Sequence, residues 1–135
     1  MSKEVKYKQR IADYMLRRRL EGKGAILIEG PKWCGKTTTA KQVAGSILNL
    51  GDITVLKEAQ QDFQMQPKKL LEGDTPRLID EWQTMTPLWD MVRSEVDERQ
   101  GEGHFILTGS SVPPEQDSLI HSGTGRIGRL KMRTM

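Results

Sequence analysis

Gly30, Gly35, Lys36 and Thr37 stand at the spacing G-x-x-x-x-G-K-T, with Pro31, Lys32, Trp33 and Cys34 filling the interval. Glycines at these places let successive backbone N–H groups turn inward toward an anion, and a helix N-terminus following them adds partial positive charge. A di- or triphosphate is the anion such groups suit. Lys36 would then reach the β- and γ-phosphates, the Thr37 hydroxyl would be a ligand of Mg²⁺, and Thr38 would donate to a nearer phosphate. Residues 30–38 are therefore expected to hold a nucleotide, with ATP and Mg²⁺ as the cofactors. A glycine turn that merely begins a helix is the alternative.

A second set of residues fits the same chemistry. Leu78 and Ile79 run into the acidic pair Asp80 and Glu81. A carboxylate at Asp80 beside the glycine loop can hold the water shell of Mg²⁺. Glu81 next to it can orient and polarise an attacking water, which hydrolysis needs and a small-molecule kinase does not, because there the substrate brings the nucleophile. An acidic strand end facing solvent is the plainer alternative. Residues 104–108 form an apolar segment ending in Thr108, Gly109 and Ser110. Ligands gather at the carboxyl ends of parallel strands, so Thr108 or Ser110 is expected near the γ-phosphate or the water, although hydroxyls beside glycine are also ordinary turn formers. Arg126, between Gly125 and Ile127, is either an arginine finger on transition-state charge or a surface arginine. The expected catalytic set is Lys36, Glu81, Thr108 and Arg126, and the expected metal ligands are Thr37 and Asp80.

These residues need a scaffold, and the apolar pattern supplies one. Tyr7, Ile11, Tyr14, Met15 and Leu16 recur at helical spacing, giving an N-terminal helix over 6–20 that ends near Gly22. Residues 25–28 are a continuous apolar run, as in a strand buried on both faces. Ala40, Val43, Ala44, Ile47 and Leu48 predict a helix over 36–50 closed by Gly51. Residues 53–56 read as a second strand and 60–72 as a helix broken at Pro67. Leu78 and Ile79 begin a third strand, Pro87 opens a helix with Leu88, Met91, Val92 and Val96 on one face, and 104–108 is a fourth strand. A Pro- and Gly-rich connection over 109–128 leads to a last strand in which Leu130 and Met132 alternate with Lys131 and Arg133. Strands alternating with helices imply a parallel α/β sheet.

With 135 residues, 36% hydrophobic and 29% charged, the chain suits one folded domain over 1–135, with a phosphate-binding core at 24–135. No apolar run approaches the roughly 20 residues a membrane span requires, and the charged N-terminus does not lead into a signal-peptide core, so the cytoplasm is the expected compartment. Cys34, the single cysteine, excludes an intramolecular disulfide. The net charge of +3 is compatible with a polyanionic partner. Arg17, Arg18 and Arg19, and the cluster Arg126, Arg129, Lys131 and Arg133, read as solvated faces or binding patches. The mild basicity leaves nucleic acid open as a partner, but aromatic residues total only 5% and no basic groove interleaved with them is visible, so no clear motif supports it. The chain stops just after its last strand with no closing helix, and a truncation there is expected.

The segments GPKWCGKTTTA (30–40), RLIDEWQ (77–83), FILTGS (105–110) and HSGTGR (121–126), with the opening residues 7–13, resemble the N-terminal AAA-type ATPase domain of prokaryotic ATPases that carry an uncharacterised, nuclease-like C-terminal domain. The resemblance covers nearly the whole chain. It implies a P-loop NTPase (AAA-type, ASCE) three-layer fold with a mostly parallel five-stranded sheet and the phosphate-loop strand central, beside the sensor strand. It also implies Walker A at 30–37, Walker B at Asp80 and Glu81, a sensor near 108–110 and a motif arginine at Arg126. The C-terminal domain lies outside this sequence, so that domain or self-association are the protein partners expected. Conversion of ATP and water to ADP and phosphate is the leading expectation. A nucleotide-binding switch or fragment that hydrolyses negligibly alone is the alternative. A phosphotransferase would need an acceptor pocket, and no lid-like arginine cluster supports one.

Overall fold

A parallel strand covered on both faces must be apolar at consecutive positions. The strands β1 (Ala25–Glu29) and β4 (Phe105–Thr108) meet that demand, with residues 25–28 and 105–108 all buried. The computed structural model describes residues 3–30, 35–109 and 127–132, with side chains from residue 11 onward. Over those residues the remaining elements are α1 (Lys3–Leu20), α2 (Lys36–Val43), β2 (Ser46–Asn49), α3 (Ile53–Met65), β3 (Arg77–Asp80), α4 (Pro87–Arg99) and β5 (Ile127–Lys131). Short 3₁₀ turns occupy Pro67–Leu71 and Trp82–Met85.

The five strands form one sheet in the order β2-β3-β4-β1-β5, and every pairing is parallel. Alternation along each strand divides the core. Ala25, Leu27, Leu48, Ile79, Phe105 and Leu107 face the layer of α3 and α4, which contributes Ala59, Leu88, Val92 and Val96. Ile26, Ile28, Leu78, Ile106 and Leu130 face the layer of α1 and α2, which contributes Leu16, Leu20 and Ala40. The three layers and the five-stranded parallel α/β sheet agree with expectation. The sequence and structure part at the second strand.

The expected helix over 36–50 ends at Val43, where Ala44 turns to extended backbone with ψ 140°. Gly45 N–H donates to the Pro76 carbonyl at 2.8 Å, and residues 46–49 then pair with 77–80. The apolar pair Ile47 and Leu48 fits both periods over so short a span, and pairing to β3 decides for the strand. Residues 53–56, expected as a strand, are instead the first turn of α3. Asp52 caps that helix by accepting from Thr54 N–H at 2.9 Å, and Val55, Leu56, Ala59 and Phe63 then pack toward the core at helical spacing. The helix breaks at Pro67 as expected, with the 3₁₀ turn following.

After β3 the chain is anchored by Trp82 and Trp89, both fully buried, with ring centroids 5.1 Å apart and planes tilted by 42°. Such a pair contributes about 0.5–1.5 kcal/mol beyond its area burial. It fixes the turn that carries Glu81 and Gln83.

Candidate functional site

The carboxyl ends of β1, β4 and β3 are neighbours, so whatever follows them converges. Parallel pairing brings Ile28 beside Thr108 and Thr108 beside Asp80. After β1 the chain passes Gly30 and reaches α2, whose N-cap is Gly35 at φ 87° and ψ 17°. This is left-handed backbone, which costs a residue bearing a Cβ roughly 1–2 kcal/mol and glycine almost nothing. The glycine at that position of the motif is therefore a conformational requirement.

From this start α2 presents Lys36 and Thr37 to the strand ends. Lys36 is almost wholly buried, with 3% of its surface exposed. The Thr37 hydroxyl donates to Asp80 Oδ1 at 3.2 Å, and the Thr108 hydroxyl donates to the same oxygen at 2.5 Å. Asp80 and Thr108 are themselves buried. Three expected site residues from three segments thus meet on one carboxylate oxygen. Thr38 lies on the exposed side of α2.

Glu81 follows directly, in the left-handed region at φ 60° and ψ 47°. A non-glycine residue there is uncommon and concentrates at functional sites. Its carbonyl accepts from Thr84 N–H at 3.1 Å and from the Thr84 hydroxyl at 2.9 Å. Its side-chain Oε2 accepts from Gln83 Nε2 at 2.5 Å. Gln83 was not among the expected site residues. The chain turns left-handed at Glu81, the Gln83 side chain reaches back to it, and no motif announces that turn.

The expected residues Pro31, Lys32, Trp33, Cys34, Ser110 and Arg126 lie outside the described residues. Arg129, read as part of a solvated or binding basic cluster, is instead paired with Glu29, the last residue of β1, through two nitrogens of its guanidinium. Arg19 donates to the Arg129 carbonyl at 3.0 Å. These arginines tie α1 and β5 to the strand that leads into the glycine loop.

Among the described residues no group of three or more His, Cys, Asp or Glu side chains could hold a metal ion. Among the described residues, oxygen donors at the start of α2 and the end of β3 include the Thr37 hydroxyl and the Asp80 carboxylate. A hydroxyl and a single carboxylate fit Mg²⁺, which retains several waters and takes its other ligands from substrate phosphates. No helix among the described residues is long and apolar enough to cross a membrane.

A family model described as an AAA domain matches residues 22–135. Among solved structures, PCH-2 of C. elegans is 14% identical with a TM-score of 0.45, over 99% of this chain and 44% of that one. The Aeropyrum pernix ORC2 protein, solved as ADPNP–ADP complexes, is 18% identical with a TM-score of 0.45, over 95% of this chain and 46% of that one. This chain spans less than half the length of either. No curated protein matches it in sequence.

Proposed function

The chain belongs to the AAA domain family, and on that footing we propose that it binds ATP with Mg²⁺ at residues 30–38 and hydrolyses it. One observation carries the reading: Asp80 Oδ1 accepts from both Thr37 and Thr108. A carboxylate facing solvent would have no reason to gather two hydroxyls from the first turn of α2 and the end of β4. A site that must place a cation beside a phosphate loop does.

In this reading the N–H groups of the loop and the start of α2 hold the phosphates, Lys36 sets its ammonium on the β- and γ-oxygens, and Thr38 donates to a nearer phosphate. Thr37 and Asp80 would hold Mg²⁺, which when bound would supply positive charge to offset that on the phosphates. Glu81 accepts a proton from water as its oxygen attacks the γ-phosphorus. The bond from that phosphorus to the bridging oxygen breaks, and ADP leaves with the electron pair. Thr108 orients the water or the γ-phosphate, and Arg126 stabilises transition-state charge. The work of the cycle passes to a C-terminal domain outside this sequence or to a second subunit.

Calorimetry with MgATP, comparing the wild type with Lys36→Ala and following hydrolysis in the same samples, tests this. Wild-type binding that is lost in the variant, with single-turnover decay of ATP to ADP, is the expected result. Binding without decay would reduce the chain to a nucleotide-dependent switch. Equal binding by the two proteins would remove the phosphate site.

A further inference from the structure

The carboxamide of Gln83 bridges the ends of β3 and β4. Its Nε2 donates to Glu81 Oε2 at 2.5 Å. A carboxylate only accepts, so the amide nitrogen must face Glu81 and the carbonyl oxygen must point the other way. That oxygen, Oε1, is buried and has no hydrogen-bond partner among the described residues. It points at the backbone of Gly109, the first residue after β4. A Cβ on Gly109 would stand 2.5 Å from Gln83 Oε1, 3.3 Å from its Cδ and 3.4 Å from Trp82 Nε1. The Trp82 indole N–H is buried and likewise has no partner among the described residues.

An unpaired buried acceptor costs about 1–3 kcal/mol. Placing one against Gly109, when an apolar side chain of similar size would avoid that penalty, calls for a compensating role. The amide nitrogen supplies it. Among the described residues, the hydrogen bond the Gln83 side chain makes is to Glu81. Trp82, the residue between Glu81 and Gln83, is fully buried against Trp89.

We infer that Gln83 is a positioning residue for Glu81, holding its carboxylate at a fixed place beside the γ-phosphate, and that the absence of a side chain at position 109 is what leaves the Gln83 amide room to do so. This rests on the hydrolytic reading above, in which Glu81 takes the proton from water. It adds that the end of β4 sets where that carboxylate stands. A shift of Gly109 toward Gln83 would displace the amide, and with it Glu81, without touching the phosphate loop.

The test compares steady-state ATP hydrolysis by the wild type, Gln83→Leu, Gln83→Asn, Gly109→Ala and Glu81→Gln, with MgATP affinity and urea unfolding measured on each. Gln83→Leu removes the donor at similar size, Gln83→Asn shortens its reach, and Gly109→Ala leaves the amide present but crowded. Losses of roughly 10- to 100-fold in kcat are expected for Gln83→Leu and Gly109→Ala, with KM for ATP within about 3-fold of the wild type, since one hydrogen bond to a charged group is at stake. Gln83→Asn should fall between. Gln83→Leu turning over at the wild-type rate or faster, while Glu81→Gln is inactive, would overturn the inference and leave the hydrolytic reading standing. So would a Gln83→Leu protein whose lost turnover is matched by lost ATP affinity, because that residue would then be structural. Wild type and Glu81→Gln turning over alike would remove the role of Glu81 and carry the inference away with it.

Discussion

Asp80 and Thr108 are register partners on adjacent parallel strands, and the Thr108 hydroxyl donates to Asp80 Oδ1 at 2.5 Å. Thr108 is fully buried and Asp80 nearly so. A hydrogen bond to a charged group in such a place contributes about 1.5–3 kcal/mol. Thr108→Val keeps the volume and removes the donor, so it should lower unfolding stability by about that amount and slow ATP turnover by about tenfold or more. Thr108→Ser should retain most of both. Urea unfolding and steady-state hydrolysis on the three proteins decide it.

Gly35 carries the left-handed turn that starts α2. Gly35→Ala forces a Cβ into that backbone or forces the backbone out of it, at about 1–2 kcal/mol. The larger effect should fall on MgATP affinity, because the first N–H groups of α2 would no longer point where the phosphates sit. Calorimetry on Gly35→Ala should show affinity weakened by more than the loss of stability accounts for.

Asp52 offers a control away from the site. Its carboxylate accepts from Thr54 N–H at 2.9 Å and satisfies one orphan donor at the start of α3. Asp52→Ala should reduce stability by about 1 kcal/mol, and Asp52→Asn by only a few tenths. ATP affinity should be unchanged in both, which thermal melts with and without nucleotide would show as parallel shifts.

Asp13 on α1 has a buried Oδ1 with no hydrogen-bond partner among the described residues. Burial raises its pKa above the ordinary value of 3.8, and the Arg17 charge opposes part of that rise. Folding therefore favours the protonated form, and the native state holds more protons than the unfolded one between the unfolded and folded pKa values. The contribution of Asp13 is most favourable below its unfolded pKa and is lost as pH rises through the folded one. Asp13→Asn should accordingly stabilise the protein more at pH 7 than at pH 3. Urea midpoints of the two proteins across that range give the difference directly.

Much of this site was legible in the sequence because its residues sit in short, contiguous motifs. The spacing of Gly30, Gly35, Lys36 and Thr37, and the apolar strands running into Asp80 and Thr108, placed the carboxylate and both hydroxyls before any pairing was known. What was not legible depends on partners distant in sequence. Residues 46–49 become a strand because 77–80 lie beside them, and their own apolar pattern is too short to choose between periods. Residues 53–55 are all β-branched and Leu56 is apolar, yet the Asp52 cap starts a helix there. No motif marks Gln83, because its partner is reached through an unusual backbone angle at Glu81. Arg129 departs from the solvated reading in the same way, since nothing local to it points to Glu29.

That last pair bears on the order in which the molecule is assembled. Glu29 and Arg129 are 100 residues apart in sequence, and the strand bearing the phosphate loop is hydrogen-bonded on one side by β4 and on the other by β5. Contacts of such separation are slow to close. At translation rates of roughly 5–20 residues per second, β1 waits on the order of ten seconds for its second flank. A chain arrested before residue 127 should therefore be cut readily by protease around β1, and should gain protection there only once residues 127–131 have been added. The strand that leads into the glycine loop would then gain its second flank late, although residues 25–38 are made long before β5.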